Sequence, residues 1–184
     1  MPGIIAISGK SGCGNSTVSA LVAKTLGFGL VNFTFKNLAE ERGLAFEEMV
    51  KRSRTDDSFD LEVDHRQVAM ARAGDSVVGS RLAIWLLAKD ADLRVYLWAS
   101  PAVRATRIRL REGAASHADP AFTKERDESD HARYLRLYGY DNDDFVDSDL
   151  VINTERFKPE SIASIIVSAW QLRKGRHGHS IGGS

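Results

Sequence analysis

Short continuous apolar runs alternate along this chain with stretches in which apolar residues recur at helical spacing. Gly3-Ile-Ile-Ala-Ile-Ser8 is nearly all apolar and rich in isoleucine, as in a strand buried on both faces. Thr17–Leu26 then spaces Val18, Leu21, Val22 and Leu26 as one helix face, with Gly27 where a C-cap belongs. Leu30–Phe33, Asp75–Gly79, Leu93–Trp98 and Leu150–Asn153 supply the further strand candidates. Lys36–Gly43, Phe46–Arg54, Asp60–Ala73, Pro101–Glu112, Thr123–Tyr138 and Pro159–Arg173 read as helices. Strands alternating with helices predict a three-layer α/β domain, a parallel five-stranded sheet with helices on both faces. Such sheets bind ligands at the carboxyl ends of their strands.

The first strand runs into Gly9-Lys10-Ser11-Gly12-Cys13-Gly14-Asn15-Ser16-Thr17, which matches G-x-x-x-x-G-K-[ST] except that asparagine replaces the lysine. Glycines let backbone N–H groups converge on a phosphate, and the following helix adds the positive end of its dipole. Strand, loop and helix stand in the order a P-loop NTPase fold requires, so Gly9 to Thr17 are the expected ATP-binding residues. Ser16 would offer its hydroxyl to Mg²⁺. Asn15 supplies only a neutral donor where an ammonium ordinarily meets the terminal phosphates. Lys10, at the second loop position, is the alternative source of that charge, or else a solvated loop residue.

Further motifs follow in order: Phe35-Lys-Asn-Leu-Ala-Glu-Glu-Arg-Gly-Leu44, Val63-Asp-His-Arg-Gln67, Ser80-Arg-Leu-Ala-Ile-Trp85, Arg107-Ile-Arg-Leu-Arg-Glu112, Glu125-Arg-Asp-Glu-Ser-Asp130, Arg133-Tyr134 and Tyr138-Gly-Tyr-Asp141. With the loop, they make the chain, from about Ile4 to Trp170, resemble the compact cytidylate kinases of archaea and some bacteria. The resemblance implies transfer of the terminal phosphoryl group of ATP to CMP or dCMP, with Mg²⁺ bridging phosphates. It also implies a core, a helical monophosphate-binding segment at about residues 34–73 and a lid at about 107–126.

Arginines suit this chemistry because the guanidinium fork holds phosphate oxygens in pairs and stays charged. Arg107 and Arg111, four apart on one helix face, are expected in the lid over the ATP phosphates, and Arg104 shares roughly that face. Arg126 and Asp130 match the family's R-x-x-x-D and are expected at the acceptor's phosphate or ribose. The same spacing also describes an ordinary helix ion pair. Arg81, just past a central strand, Lys36, Asp64 and Arg66 complete the expected acceptor site. Catalysis would fall to Lys10, Arg107, Arg111 and Arg126.

The chain also departs from the family. Gly79-Ser80 stands where Glu-Gly is usual, removing an acid that could orient Mg²⁺ through water. Lys36 replaces an arginine, keeping the charge but losing the fork. Besides a cytidylate kinase, a nucleotide-binding relative with weak or lost catalysis and a kinase for another small acceptor therefore stay open.

Composition adds exclusions. At 184 residues the chain suits one domain over 1–173, with a Gly-, His- and Ser-rich tail over 174–184 expected to be flexible. The 25 basic and 25 acidic residues balance, so no net field favours nucleic acid or a membrane. Cys13 is the single cysteine, and no stretch is long and apolar enough to span a bilayer. A cytoplasmic monomer is the expectation. His65, His117, His131, His177 and His179 lack zinc-like spacing. Tyr134, Tyr138 and Tyr140 read as packing residues, and the acidic run Asp141–Asp149 as a solvated turn.

Overall fold

The computed structural model describes residues 2–53, 55–112 and 119–177, with residues 176 and 177 described by backbone alone. In chain order the elements are β1 (Ile4–Ser8), α1 (Asn15–Leu26), β2 (Gly29–Val31), α2 (Phe35–Glu41), α3 (Phe46–Ser53), α4 (Ser58–Arg72), β3 (Ser76–Gly79), α5 (Ala83–Leu86), β4 (Leu93–Trp98), α6 (Pro101–Glu112), α7 (Pro120–Tyr138), β5 (Leu150–Asn153) and α8 (Pro159–His177). The sheet is five-stranded in the order β2-β3-β1-β4-β5, and every pairing is parallel.

The isoleucine run explains why β1 is central. Successive side chains point to opposite faces, so Ile5 and Ile7 pack with Val18 and Val22 of α1 and Ile162, Ile166 and Trp170 of α8. Ile4 and Ala6 face the other way, onto Ala71 of α4, Ala83 and Ile84 of α5, and Tyr96. A separate small core of Phe33, Leu38, Met49, Phe59 and Val63 holds α2, α3 and α4 together as a helical segment beside the sheet.

Three differences from the sequence reading have local causes. The short helix α5 was not anticipated; it is fixed by the Ile84 N–H, which donates to the buried Ser8 hydroxyl at 3.1 Å. Helix α7 starts ahead of Thr123 because the Asp119 carboxylate accepts from the Phe122 N–H at 2.7 Å and Pro120 occupies the first turn. Helix α8 continues past Arg173, where a flexible tail was expected. Arg173 pairs with Asp149 at 2.7 Å, and Lys174 lies over the Trp170 ring at 4.7 Å, which holds that turn on the domain. The remainder of the expected tail lies outside the described residues.

The acidic run before β5 is fastened rather than simply solvated. Phe145 stacks on Tyr96 with centroids 4.2 Å apart, Asn142 is buried, and Asp149 accepts from the Arg94 N–H at 2.7 Å. Among the described residues no helix is long and apolar enough to cross a membrane.

The most buried charge is Arg104 of α6. Its guanidinium meets both carboxylate oxygens of Asp127 on α7, at 3.0 and 2.5 Å, and donates to the carbonyls of Ala99 and Ser11, both at 3.2 Å. One side chain thus ties the end of β4, both arginine-rich helices and the glycine loop. Removing one partner of such a pair leaves a buried charge uncompensated. Asp127→Ala is therefore expected to lose about 3–5 kcal/mol of unfolding free energy in urea titrations.

Candidate active site

The carboxyl ends of the strands open into a cavity of about 780 Å³. Its floor is the loop from Lys10 to Thr17 leading into α1. The loop's shape depends on Gly12 and Gly14, at φ 86° and 102°, which side chains other than glycine's rarely tolerate. A Cβ at Gly12 would also come within 2.9 Å of Arg104. The first-turn amides of α1 have no partners within the helix and face a ligand-sized space, the arrangement that binds phosphate. Ser16 and Thr17 are exposed on that turn and line the cavity. Gly9 sits behind, where a Cβ would be 2.5 Å from the Leu97 carbonyl.

Asn15 does not reach forward as a substitute for lysine. Its Nδ2 donates to the Gly9 carbonyl at 2.5 Å, closing the loop across its own base, and its buried Oδ1 has no partner. Lys10 lines the cavity, yet its ammonium is ion-paired with Asp143 and lies 3.9 Å from Asp127. Cys13 belongs to the core, where burial pushes its thiol up to about 11 against the pull of Arg104 and Arg107.

The arginines divide into distinct tasks. Arg107 donates to the Thr154 hydroxyl and carbonyl, both at 2.8 Å, and approaches the Gly12 carbonyl at 3.4 Å. It thereby bridges the loop and the segment after β5, with Phe157 and Pro159 lining the cavity nearby. Arg111 lines the rim and binds Glu112 at 2.7 Å. Arg104, on the same helix, is absorbed by its ion pair. Residues 113–118 of the expected lid, with His117, lie outside the described residues, as does His179.

Arg81, Arg126 and Arg133 line the middle of the cavity. Arg81 donates to Asp130 at 2.6 Å, and Arg133 binds the other oxygen of Asp130 at 2.9 Å. The alternative reading of Arg126 and Asp130 as an ordinary helix ion pair does not hold, because Asp130 is already engaged by Arg81 and Arg133. Asp130 lies behind the cavity wall rather than on it. Arg126 has no hydrogen-bond or ion-pair partner among the described residues. Burial, and then the like charge of Arg81, push its pKa below the usual arginine value.

Lys36 and Arg66 are not brought to the cavity. Lys36 is exposed on α2, with Glu40 at 4.0 Å. Arg66 turns outward to Glu41 at 2.8 Å and Glu62 at 3.4 Å and covers the Phe33 ring at 5.4 Å. Asp64 does line the far end, and Tyr138, read from sequence as packing, donates its hydroxyl to it at 2.5 Å. Sequence reasoning missed Asp60 and Gln67 there. Their positions, four before and three after Asp64 on α4, put them on its helix face, a signal the spacing does carry. His131, Asp141 and Asp143 converge on the opposite side of Lys10, a grouping that sequence spacing concealed.

A parallel sheet in this order, a glycine loop running into a helix, and cations gathered over the space beyond it are the fold and phosphate cradle of a P-loop kinase. The fold agrees with solved structures. A shikimate kinase from Acinetobacter baumannii in complex with shikimate superposes with a TM-score of 0.64, covering 95% of this chain and 96% of that one at 14% identity. A deoxyadenosine kinase from M. mycoides gives 0.57, covering 92% and 99% at 16% identity. Sequence similarity is more specific. A cytidylate kinase 2 from Borreliella burgdorferi is 42% identical over 166 residues, 88% of this chain and 92% of that protein. A cytidylate kinase from Pyrococcus horikoshii is 38% identical over 170 residues, 90% and 87%. Residues 4–156 match the cytidylate kinase-like family, and the chain belongs to it.

Asp64 makes the site pH-sensitive. Burial pushes its carboxyl up to about 6 despite the Tyr138 hydrogen bond, with the charge of Asp60 adding to the effect. A folded-state pKa raised above the ordinary 3.8 means that the native chain holds a proton the unfolded chain has lost. The carboxyl's contribution is therefore neutral below that window, and stability falls as pH rises through it. In melts of nucleotide-free protein from about pH 4 to 7, the wild type should lose on the order of 2 kcal/mol relative to Asp64→Asn. Parallel curves for the two proteins would show that Asp64 is not buried as an acid.

Proposed function

We propose that the chain transfers the terminal phosphoryl group of ATP to CMP or dCMP. Arg126 carries this reading: a cation kept inside a cavity without an acid partner among the described residues, beside the like-charged Arg81, is stabilised by an incoming anion. The cavity then divides by chemistry. Its loop end, with Arg107 and Thr154, suits the donor's phosphates and nucleoside. Its middle suits the acceptor phosphate, and its α4 end the acceptor nucleoside. The family membership favours this over a binding-only relative or a kinase for another class of acceptor.

The protein's part in such a reaction is positioning and charge neutralisation. Arg81, Arg126 and Arg133 would hold and shield the acceptor phosphate, and Arg107 and Arg111 the donor's. Lys10 is the charge nearest the loop that can replace the ammonium missing at Asn15, and it would exchange Asp143 for phosphate oxygens on binding.

Mg²⁺ fits the donor set in a restricted way. Ser16 gives a hydroxyl at the first turn of α1, and no cluster of carboxylates shares that part of the cavity among the described residues. A small hard cation that keeps its waters and takes most of its other ligands from phosphates suits a site of this kind. The ion would supply neutralisation of charge on the phosphates.

Coupled assays with CMP, dCMP, UMP and AMP test the reading. Turnover with CMP and dCMP is the expected result, and activity confined to other acceptors would overturn it. Lys10→Ala should lower kcat by about 100-fold or more if its charge replaces the loop lysine's, with Asn15→Lys added in the same chain recovering part of the loss. Full activity in Lys10→Ala would return that role to the arginines alone.

A further inference from the structure

Lys10 belongs to the phosphate loop, but its charge does not rest in the cavity that the loop floors. The ammonium is ion-paired with Asp143 and lies 3.9 Å from Asp127, and neither acid lines that cavity. Both line a neighbouring hollow of about 460 Å³, which shares Lys10 and Cys13 with the first. The two acids are not equivalent. Asp127 has both oxygens on the Arg104 guanidinium, at 3.0 and 2.5 Å, so its charge is already balanced. The hold on Lys10 therefore falls to Asp143.

The turn that carries Asp143 keeps it in place. Its N–H donates to the Asp141 carboxylate at 2.9 Å, which closes residues 141–143 into a tight turn. Asn142 is buried with its Oδ1 2.9 Å from the His131 ring, and Phe145 stacks on Tyr96. None of these contacts uses the Asp143 carboxylate. One of its oxygens faces Lys10, and the other lies 3.6 Å from His131. The acid is thus positioned by its neighbours and left to hold the loop's cation.

A cation that serves the donor's phosphates must first leave this acid. The donor's apparent affinity is reduced by the fraction of chains in which Lys10 is free. We propose that Asp143 is a positioning residue that parks Lys10 away from the ATP phosphates and so weakens donor binding. The inference rests on the reading of Lys10 as the cation that replaces the loop lysine. The side chains of the pair are 22% and 54% exposed, so the hold is weak enough to exchange rather than to block. Such a hold suits a kinase, because the same acid can take Lys10 back as the products leave.

The test is calorimetric titration of the full chain with ATP and Mg²⁺ in the absence of an acceptor. Asp143→Asn keeps the shape of a half-exposed side chain and removes its charge. It should bind ATP about two- to fivefold more tightly than the wild type. A loosened turn would move affinity the other way. In a Lys10→Ala background the same substitution should change nothing, because the acid then has no ammonium to hold. Glu128→Gln removes another acid of the hollow, one that lies 3.6 Å from Lys124, and should leave ATP affinity at the wild-type level. Unchanged or weaker ATP binding by Asp143→Asn would overturn the proposal. So would an equal gain in the Lys10→Ala background or from Glu128→Gln, since either would trace the effect to net charge alone. Because the readout is ATP binding, a chain that shows these shifts but turns over no acceptor would refute the kinase reading and leave this inference standing. Turnover of CMP with no effect of Asp143 on ATP would do the reverse.

Discussion

A loop that binds phosphate must keep its amides pointing inward before the phosphate arrives, and in this chain a buried guanidinium imposes that constraint. Arg104 reaches the Ser11 carbonyl from outside the loop, so the adjoining backbone is held from behind. The same side chain is pinned to Asp127, and Gly12 lies so close against Arg104 that any side chain there would collide with it. Loop, α6 and α7 are consequently one assembly. A change in the tilt of either arginine-rich helix would be felt at the phosphate cradle. Preorganisation of this kind lets fixed dipoles stabilise a developing charge without rearranging during the reaction.

Around that cradle the positive charge is distributed unusually. Asn15 spends its amide on Gly9, and Lys10 rests against Asp143, so the loop's own side chains hold no unpaired positive charge and the cation lining its end is Arg107. The middle of the cavity holds the opposite imbalance, with Arg126 desolvated next to Arg81. Two anionic substrates, as proposed, would correct both at once: phosphates would draw Lys10 from an exposed carboxylate and relieve the repulsion among the arginines. Breaking a largely solvated ion pair costs little, and binding to desolvated cations returns more. The site is thus electrostatically incomplete without its ligands.

Much of this was legible in the sequence, for reasons that mark the limit as well. The isoleucine run of β1 and the spacing in α1 and α6 reflect periodicity alone, and Leu93–Trp98, Pro101–Glu112 and Leu150–Asn153 fall where that periodicity puts them. Motif order located the loop and Arg81, Arg107, Arg111 and Arg126 on the cavity. What spacing cannot supply is the partner of a charge. Asp130 stands four residues from Arg126, the distance of a helix pair, yet two cations from elsewhere claim it. Arg66 shares a motif with Asp64 and Gln67 but points away from them, because helix geometry puts neighbours in sequence on different faces. Lys10 and Asp143 are far apart in the chain, and only the parallel sheet brings their loops to the same end.

The missing acid at Gly79 shows how such departures come as sets rather than singly. A Cβ at that position would lie 2.4 Å from the Ser19 hydroxyl and 2.8 Å from its Cβ, so α1 is seated against β3 more closely than a glutamate there would permit. Ser19 itself is fully buried, and its hydroxyl has no partner. The packing that excludes the acid lies one helical turn beyond Asn15, on the helix whose first turn forms the cradle. A lysine at the loop and an acid at the end of β3 ordinarily work on the same phosphates and metal. Here one is replaced by an amide that closes the loop and the other by a glycine that lets the helix approach. On the proposed reading, both substitutions would leave the work of neutralisation to Lys10, earlier in the same loop, and to the arginines that line the cavity.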